Sequence, residues 1–126
     1  MTRMDDQYNN RTLGARYEQR AAAYLEEEGY RVVACNERTR YGEIDLIARA
    51  PDGQTLVICE VKYREHGLLE ALEAVDGKKQ AQVMRMTRAY LMTHKISDEI
   101  PVRFDVIAIS GAGELRHIEN AFDAGL

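Results

Sequence analysis

Tyr41-Gly-Glu-Ile-Asp-Leu-Ile-Ala-Arg-Ala50, a Pro51-Asp52-Gly53 break, and Gln54-Thr-Leu-Val-Ile-Cys-Glu-Val-Lys-Tyr-Arg64 form the stretch on which the fold turns. Apolar and β-branched residues flank the break on both sides, which predicts two strands joined by a tight connection. Glu43, Asp45, Glu60 and Lys62 interrupt those apolar runs where a sheet should be filling a core. Interior charges are costly unless they are paired or bind a metal.

A connection symmetric about Asp52 and Gly53 places Asp45 opposite Glu60 and Glu43 opposite Lys62. Side chains alternate along a strand, so all four then share one face. Facing carboxylates repel unless a cation or a proton lies between them. A Pro-Asp-Gly sequence also suits a three-residue connection with a glycine bulge, which slips the pairing by one and puts Asp45 on the other face. The even register is favoured because it gathers the charges. The competing structural reading is an edge hairpin with cross-strand salt bridges; the flanking Ile44, Leu46, Val57, Ile58 and Val61 argue instead for central strands.

Working outward, the 126 residues suit one domain with a modest core, and 45% apolar with 30% charged residues is ordinary for a soluble globular protein. No apolar run approaches the roughly 20 residues that cross a bilayer. The N-terminus lacks the apolar core of a signal peptide, so a cytoplasmic location is expected. Cys35 and Cys59 read as buried free thiols, and the three histidines have no ligand spacing, which argues against a zinc or iron site. A net charge of −4 argues against a strongly basic protein that coats nucleic acid, though not against a local basic groove. Phosphate binding would depend on local residues such as Arg64, Lys78, Lys79, Arg85 and Arg88.

Residues 1–12 are polar and aperiodic and read as a flexible arm, with the domain proper at 13–126. Tyr17, Ala21, Tyr24 and Leu25 recur at helical spacing, Glu18 lies on or beside that stripe, and Gly29 is placed to stop the helix. Tyr30–Cys35 begins the first strand. After the hairpin, a helical region spans about residues 68–95, broken at Asp76-Gly77 with Asp76 as an N-cap. On its second part Lys79, Val83, Met86 and Tyr90 form one face, so Lys79 at the open end could point toward the sheet; Met84, Met86 and Met92 read as core filler. Val102–Ser110 is a further strand, on which Arg103 and Asp105 share a face and can pair. Glu114–Glu119 returns as a short edge strand. The order α-β-β-β-α-β predicts an α/β domain with a mixed sheet.

Magnesium takes oxygen ligands, commonly one or two carboxylates completed by waters and phosphate. Asp45 and Glu60 could supply those carboxylates, with the Val61 carbonyl as a third oxygen. Lys62 could position water or stabilise transition-state charge. Glu18 and Glu43 could act through outer waters, Glu43 alternatively pairing with Lys62.

The motifs Leu13-Gly14 with Glu18, Ala22, Leu25, Gly29-Tyr30, Asn36, Gly42 to Ile47, Glu60-Val61-Lys62 with Arg64, Ala74-Val75, Lys79-Gln80 and Arg103 to Val106 occur in one order. In this the chain resembles the YraN family of bacterial proteins, within the PD-(D/E)xK, or restriction-endonuclease-like, nuclease superfamily. The resemblance implies an αβββαβ core with Asp45 and Glu60 as metal ligands, Lys62 as the catalytic lysine, and Glu18 as the helical glutamate that completes such sites. Glu43 and Lys79 match positions characteristic of the family, and Arg64 and Lys79 are candidate nucleic-acid contacts. Tyr17 stands where the family has glycine, Tyr63 where it has threonine and Cys59 where it has valine; the two tyrosines would narrow the approach to the site. The expected function is a Mg²⁺- or Mn²⁺-dependent nuclease acting on DNA, including branched or single-stranded forms. A non-catalytic nucleic-acid-binding or repair-accessory module on the same fold is the alternative, and a scaffold with purely structural charges is a third. A homodimer would suit a small nuclease domain that must span a duplex.

Overall fold

The computed structural model describes the backbone of residues 3–73 and 75–122 and the side chains of residues 15–72 and 75–122. Its elements run α1 (Arg3–Glu27), β1 (Arg31–Thr39), β2 (Gly42–Arg49), β3 (Leu56–Arg64), α2 (Leu68–Glu73), α3 (Gly77–Thr93), β4 (Val102–Ser110) and β5 (Leu115–Ile118). The strands form one sheet in the order β1-β2-β3-β4-β5. Only the β3–β4 pair is parallel, as a helical crossover through α2 and α3 requires. This is the expected α/β order, with β5 as the short returning strand.

Helix α1 lays Ala21 and Leu25, both fully buried, on one face of the sheet against Leu46, Ala48, Val57, Cys59, Ile107 and Ile109. It stops at Gly29, whose φ of +91° lets the Tyr30 N–H donate back to the Leu25 carbonyl at 2.9 Å. On the other face α3 packs Val83, Met86 and Tyr90 against Ile44, Ile47, Leu56, Ile58 and Phe104. Asp76 caps α3 by accepting from the Lys79 backbone N–H at 3.0 Å. Burying an aliphatic side chain is worth about 1.5–3 kcal/mol, so two apolar layers fix β2 and β3 as central strands. The edge-hairpin reading is thereby overturned.

The hairpin register is the even one, with Arg49 paired to Leu56, Ile47 to Ile58 and Leu46 to Cys59. Asp52 holds the connection, its carboxylate accepting from the backbone N–H groups of Gln54 at 2.8 Å and Thr55 at 2.9 Å. The Thr55 hydroxyl adds a bond at 2.7 Å, and together these hold the Asp52 pKa down at about 2.

Four expectations need correction. The backbone of residues 3–12, read as an aperiodic arm, continues α1, because extending a nucleated helix costs far less than starting one. Cys35 is exposed rather than buried, since β1 is an edge strand, whereas Cys59 on central β3 is buried as expected. Met92 is 82% exposed, lying beyond the buried stripe of α3, while Met86 is core. Glu43 does not face Lys62: the β2–β3 ladder ends at Leu46 and Cys59, and Glu43 is paired with Arg38 of β1. Ala74 and the side chain of Leu13 lie outside the described residues. Among the described residues no helix is long and apolar enough to cross a membrane.

Candidate active site

Strands β2 and β3 separate just past Leu46 and Cys59, and the site is built at that fork. Leu46 and Ala48 face α1 and Ile47 faces α3, yet Ile44 also faces α3, so the alternation breaks across Asp45. The cause lies on β1. Asn36 falls between the Cys35–Leu46 and Glu37–Ile44 pairs and has a left-handed φ of 52°, a conformation asparagine tolerates better than most residues. The kink turns Asp45 toward β3. There Asp45 Oδ2 accepts from the Val61 backbone N–H at 2.9 Å, replacing the ladder partner that the separating strand withdraws.

Glu60 follows Leu56 and Ile58 on the α3 face and is buried, with 7% exposure. Its Oε1 receives two ammonium groups, Lys79 Nζ at 3.3 Å and Lys62 Nζ at 3.8 Å. Burial, and then the Asp45 charge, push the Glu60 pKa from its ordinary 4.5 up to about 7, with Lys79 and Lys62 opposing that rise. Glu18 approaches from α1. Burial first, and the Asp45 charge second, raise its pKa to about 7 as well, against a lowering hydrogen bond from Asn36. With its amide nitrogen turned toward these acids, as their acceptors demand, Asn36 donates to Glu18 Oε2 at 2.7 Å and to Glu43 Oε1 at 3.0 Å. Glu43 is further held 3.7 Å from Arg38 Nη2.

Asp45 therefore stands at the centre of a row of carboxylates, with Glu18 on the α1 side and Glu60 on the α3 side. Among the described residues no three Asp, Glu, His or Cys side chains close into a metal cage. Magnesium does not require one, because it is commonly held by one or two carboxylates and keeps several waters. The donors are hard oxygens; burial first, and the Asp45 charge second, raise two of their pKa values, and a divalent cation relieves the repulsion from Asp45. The residues present thus fit a magnesium or manganese ion.

Six of the seven residues singled out from the sequence meet here: Glu18, Glu43, Asp45, Glu60, Lys62 and Lys79. Arg64 does not join them; its Nη1 donates to the adjacent Tyr63 carbonyl at 2.6 Å, so the side chain folds back along β3. Lys79, expected as a nucleic-acid contact, is engaged by Glu60. Two contributors went unassigned. Asn36, quoted only as part of a motif, supplies the kink and the amide that joins Glu18 to Glu43. Gln82 accepts from Lys79 Nζ at 3.4 Å and donates to the Tyr41 carbonyl at 2.9 Å. An asparagine inside a strand is the signal that could have found the first, since strands disfavour it. Tyr17 and Tyr63, beside Glu18 and Lys62 in sequence, stack with ring centres 4.0 Å apart.

A second polar group lies on the α1 face of β4 and serves packing. Asp105, with no side-chain exposure, accepts from Arg103 at 2.9 and 2.8 Å and from the Asn120 backbone N–H at 3.0 Å. Its Oδ2 is also 2.7 Å from His117 Nε2, and the Tyr24 hydroxyl lies 3.0 Å from His117 Nδ1. Burial pushes the Asp105 carboxyl up, but the His117, Arg103 and Asn120 bonds outweigh it and hold its pKa below the ordinary value. The expected Arg103–Asp105 pair is therefore part of a network tying β4 and β5 to α1.

The family model described as Uncharacterised protein family UPF0102 matches residues 17–109. A UPF0102 protein from Alkaliphilus oremlandii is 44% identical over 118 residues, covering 90% of this chain and 99% of its own. One from Geobacter sulfurreducens is 43% identical over 123 residues, covering 92% of each chain. Among solved structures, the crystal structure of a repair endonuclease from Pyrococcus abyssi aligns with a TM-score of 0.41 and 22% identity. That alignment covers 70% of this chain and 33% of the endonuclease, and bears on neither substrate nor chemistry here.

Proposed function

The chain belongs to the UPF0102 family, the YraN group its motifs resemble, and on that premise we propose that it is a metal-dependent nuclease hydrolysing phosphodiester bonds in DNA. The observation that carries this reading is the wedge of Asp45 at the strand fork beside Glu60, with Lys62 and Lys79 on the Glu60 carboxylate. Asp45 and Glu60 would hold a Mg²⁺ or Mn²⁺ ion. Such an ion, when bound, polarises a phosphoryl oxygen and lowers the pKa of a bound water.

The remaining roles fall to the chain itself. Lys62, on the same strand face as Glu60, presents a positive charge to a non-bridging phosphoryl oxygen as negative charge builds in the transition state. Lys79, anchored through its backbone by the Asp76 cap and through Gln82, fixes the Glu60 carboxylate. Glu18 and Glu43, joined by Asn36, line the α1 side of the site and orient water there. The Tyr17–Tyr63 stack, on the α1 face of the sheet and next in sequence to Glu18 and Lys62, would limit what enters.

The test is cleavage of single-stranded, duplex and branched DNA with Mg²⁺ or Mn²⁺ by the wild type, Asp45→Ala and Lys62→Ala. Cleavage by the wild type alone is expected. Equal cleavage by all three would trace the activity to a contaminant and end the proposal. A second reading, a non-catalytic DNA-binding module, is favoured by the engagement of both lysines on Glu60. It requires binding that persists without metal and no cleavage under any of these conditions.

A further inference from the structure

The turn between β1 and β2 lies against α3, and the contact depends on Gly42. Its φ is +138°, and a Cβ there would sit 2.6 Å from Gln82 Nε2 and 3.1 Å from Met86 Sδ. Gln82 then donates to the Tyr41 carbonyl at 2.9 Å, tying the turn to the helix. Between them runs a groove of about 390 Å³ lined by Arg40, Tyr41, Arg85, Arg88 and Met92 along with smaller side chains.

Among the described residues no carboxylate lines this groove, although Asp and Glu number 21 in the chain against 17 Lys and Arg. Arg85, Arg88 and Met92 share one stripe of α3, displaced from the buried stripe of Val83, Met86 and Tyr90. Arg40 is held by its own neighbour, its guanidinium 5.1 Å from the centre of the Tyr41 ring. Arg40, Arg85 and Arg88 are all exposed, and among the described residues none has a carboxylate within salt-bridge distance. Like charges left together without counter-charges cost stability, which points to an anionic ligand.

The groove also communicates with the carboxylates. From the Tyr41 carbonyl the contacts pass to Gln82, from Gln82 to Lys79 Nζ at 3.4 Å, and from Lys79 to Glu60 at 3.3 Å. We infer that Arg40, Arg85 and Arg88 bind successive phosphates of a DNA strand, with Tyr41 and Met92 as the apolar wall, and lead that strand to Glu60 and Lys62. The inference rests on the nuclease reading for its choice of ligand. A DNA backbone satisfies three unpaired guanidinium groups along one track, and Arg suits phosphate through its planar fork of donors.

The test is fluorescence anisotropy of dye-labelled DNA, single-stranded and duplex, in EDTA at several salt concentrations. It compares the wild type with the Arg40→Ala/Arg85→Ala/Arg88→Ala triple variant and with Arg116→Ala, an exposed arginine on β5 at the opposite edge of the sheet. All three positions are exposed, so the triple variant should fold, as circular dichroism will report. It is expected to bind about tenfold or more weakly near 0.1 M salt, and to lose about two to three units of the log–log salt slope. Arg116→Ala is expected to keep both affinity and slope. Equal affinity and slope for wild type and triple variant would overturn the inference. So would competition by polyglutamate as effective as competition by DNA, which would make the groove an acidic-protein surface. Loss of binding in the triple variant, with no cleavage by the wild type in metal, would leave the groove standing and remove the nuclease reading. Metal-dependent cleavage with an unchanged KM in the triple variant would do the reverse.

Discussion

Replacing Glu60 by glutamine should stabilise the metal-free protein at alkaline pH and flatten its stability profile. The Glu60 carboxyl is 7% exposed, and its pKa stands at about 7 against an ordinary 4.5, through burial first and the Asp45 charge second. A carboxyl with a raised folded pKa keeps a proton that the unfolded chain releases. Stability is therefore greatest below about pH 4.5 as far as this group is concerned, and declines as pH rises toward 7. At about 1.4 kcal/mol per tenfold, the full difference amounts to about 3.5 kcal/mol. Glu18 adds a smaller loss of the same sign, being only half-buried. Glutamine has the same shape and cannot ionise, so Glu60→Gln removes the larger part. Urea unfolding followed by circular dichroism in EDTA, at about pH 5 and about pH 8, measures the effect. The wild type should lose about 2.5 kcal/mol more than the variant between those conditions, the rest of the difference lying below about pH 5. Added Mg²⁺ at the higher pH should restore stability to the wild type more than to the variant, because ligand binding to the folded state alone is stabilising. Identical pH profiles for the two proteins would refute the reasoning, since they would mean that Glu60 is not held above its ordinary value.

Two further outcomes probe the fork and the second polar network. Asp45→Asn keeps an oxygen for the Val61 N–H and should stay within about 1 kcal/mol of the wild type, whereas Asp45→Ala orphans that N–H and should lose about 1–3 kcal/mol in chemical denaturation. Both should abolish Mg²⁺ heat in calorimetric titration, and undiminished heat would remove Asp45 from the ligand set. Asp105→Ala strips a fully buried carboxylate from Arg103, His117 and the Asn120 N–H, and should cost about 3–5 kcal/mol, read as a lowered Tm. A Tm unchanged by that substitution would show the network to be dispensable.

Much of the site was legible because hairpin arithmetic is local. Pro51-Asp52-Gly53 sets the turn, the turn sets the pairing from Arg49–Leu56 to Leu46–Cys59, and the pairing brings Asp45 near Glu60. Lys79 was legible through its place on the α3 stripe, and Asp76 through its capping chemistry. The kink was not, because it depends on Asn36 adopting a left-handed conformation on a strand that pairs with β2 rather than β3. Hairpin counting carried past that kink put Glu43 across from Lys62, where the ladder no longer exists. Asp105 and His117 lie on strands read separately, and only the β4–β5 pairing brings the histidine over the carboxylate. Met92 belongs by composition to a core and by helical phase to the surface.

The bond from the Val61 amide to Asp45 gives the protein a single-proton gauge. Neighbouring β3 amides are protected from solvent exchange by main-chain carbonyls, which move only when the sheet opens. The Val61 amide is guarded by a side chain, which can swing while the sheet stays closed. Its exchange rate therefore follows the rotation of one carboxylate, and a magnetic-resonance spectrum of that one amide reports the state of the fork without a substrate being present.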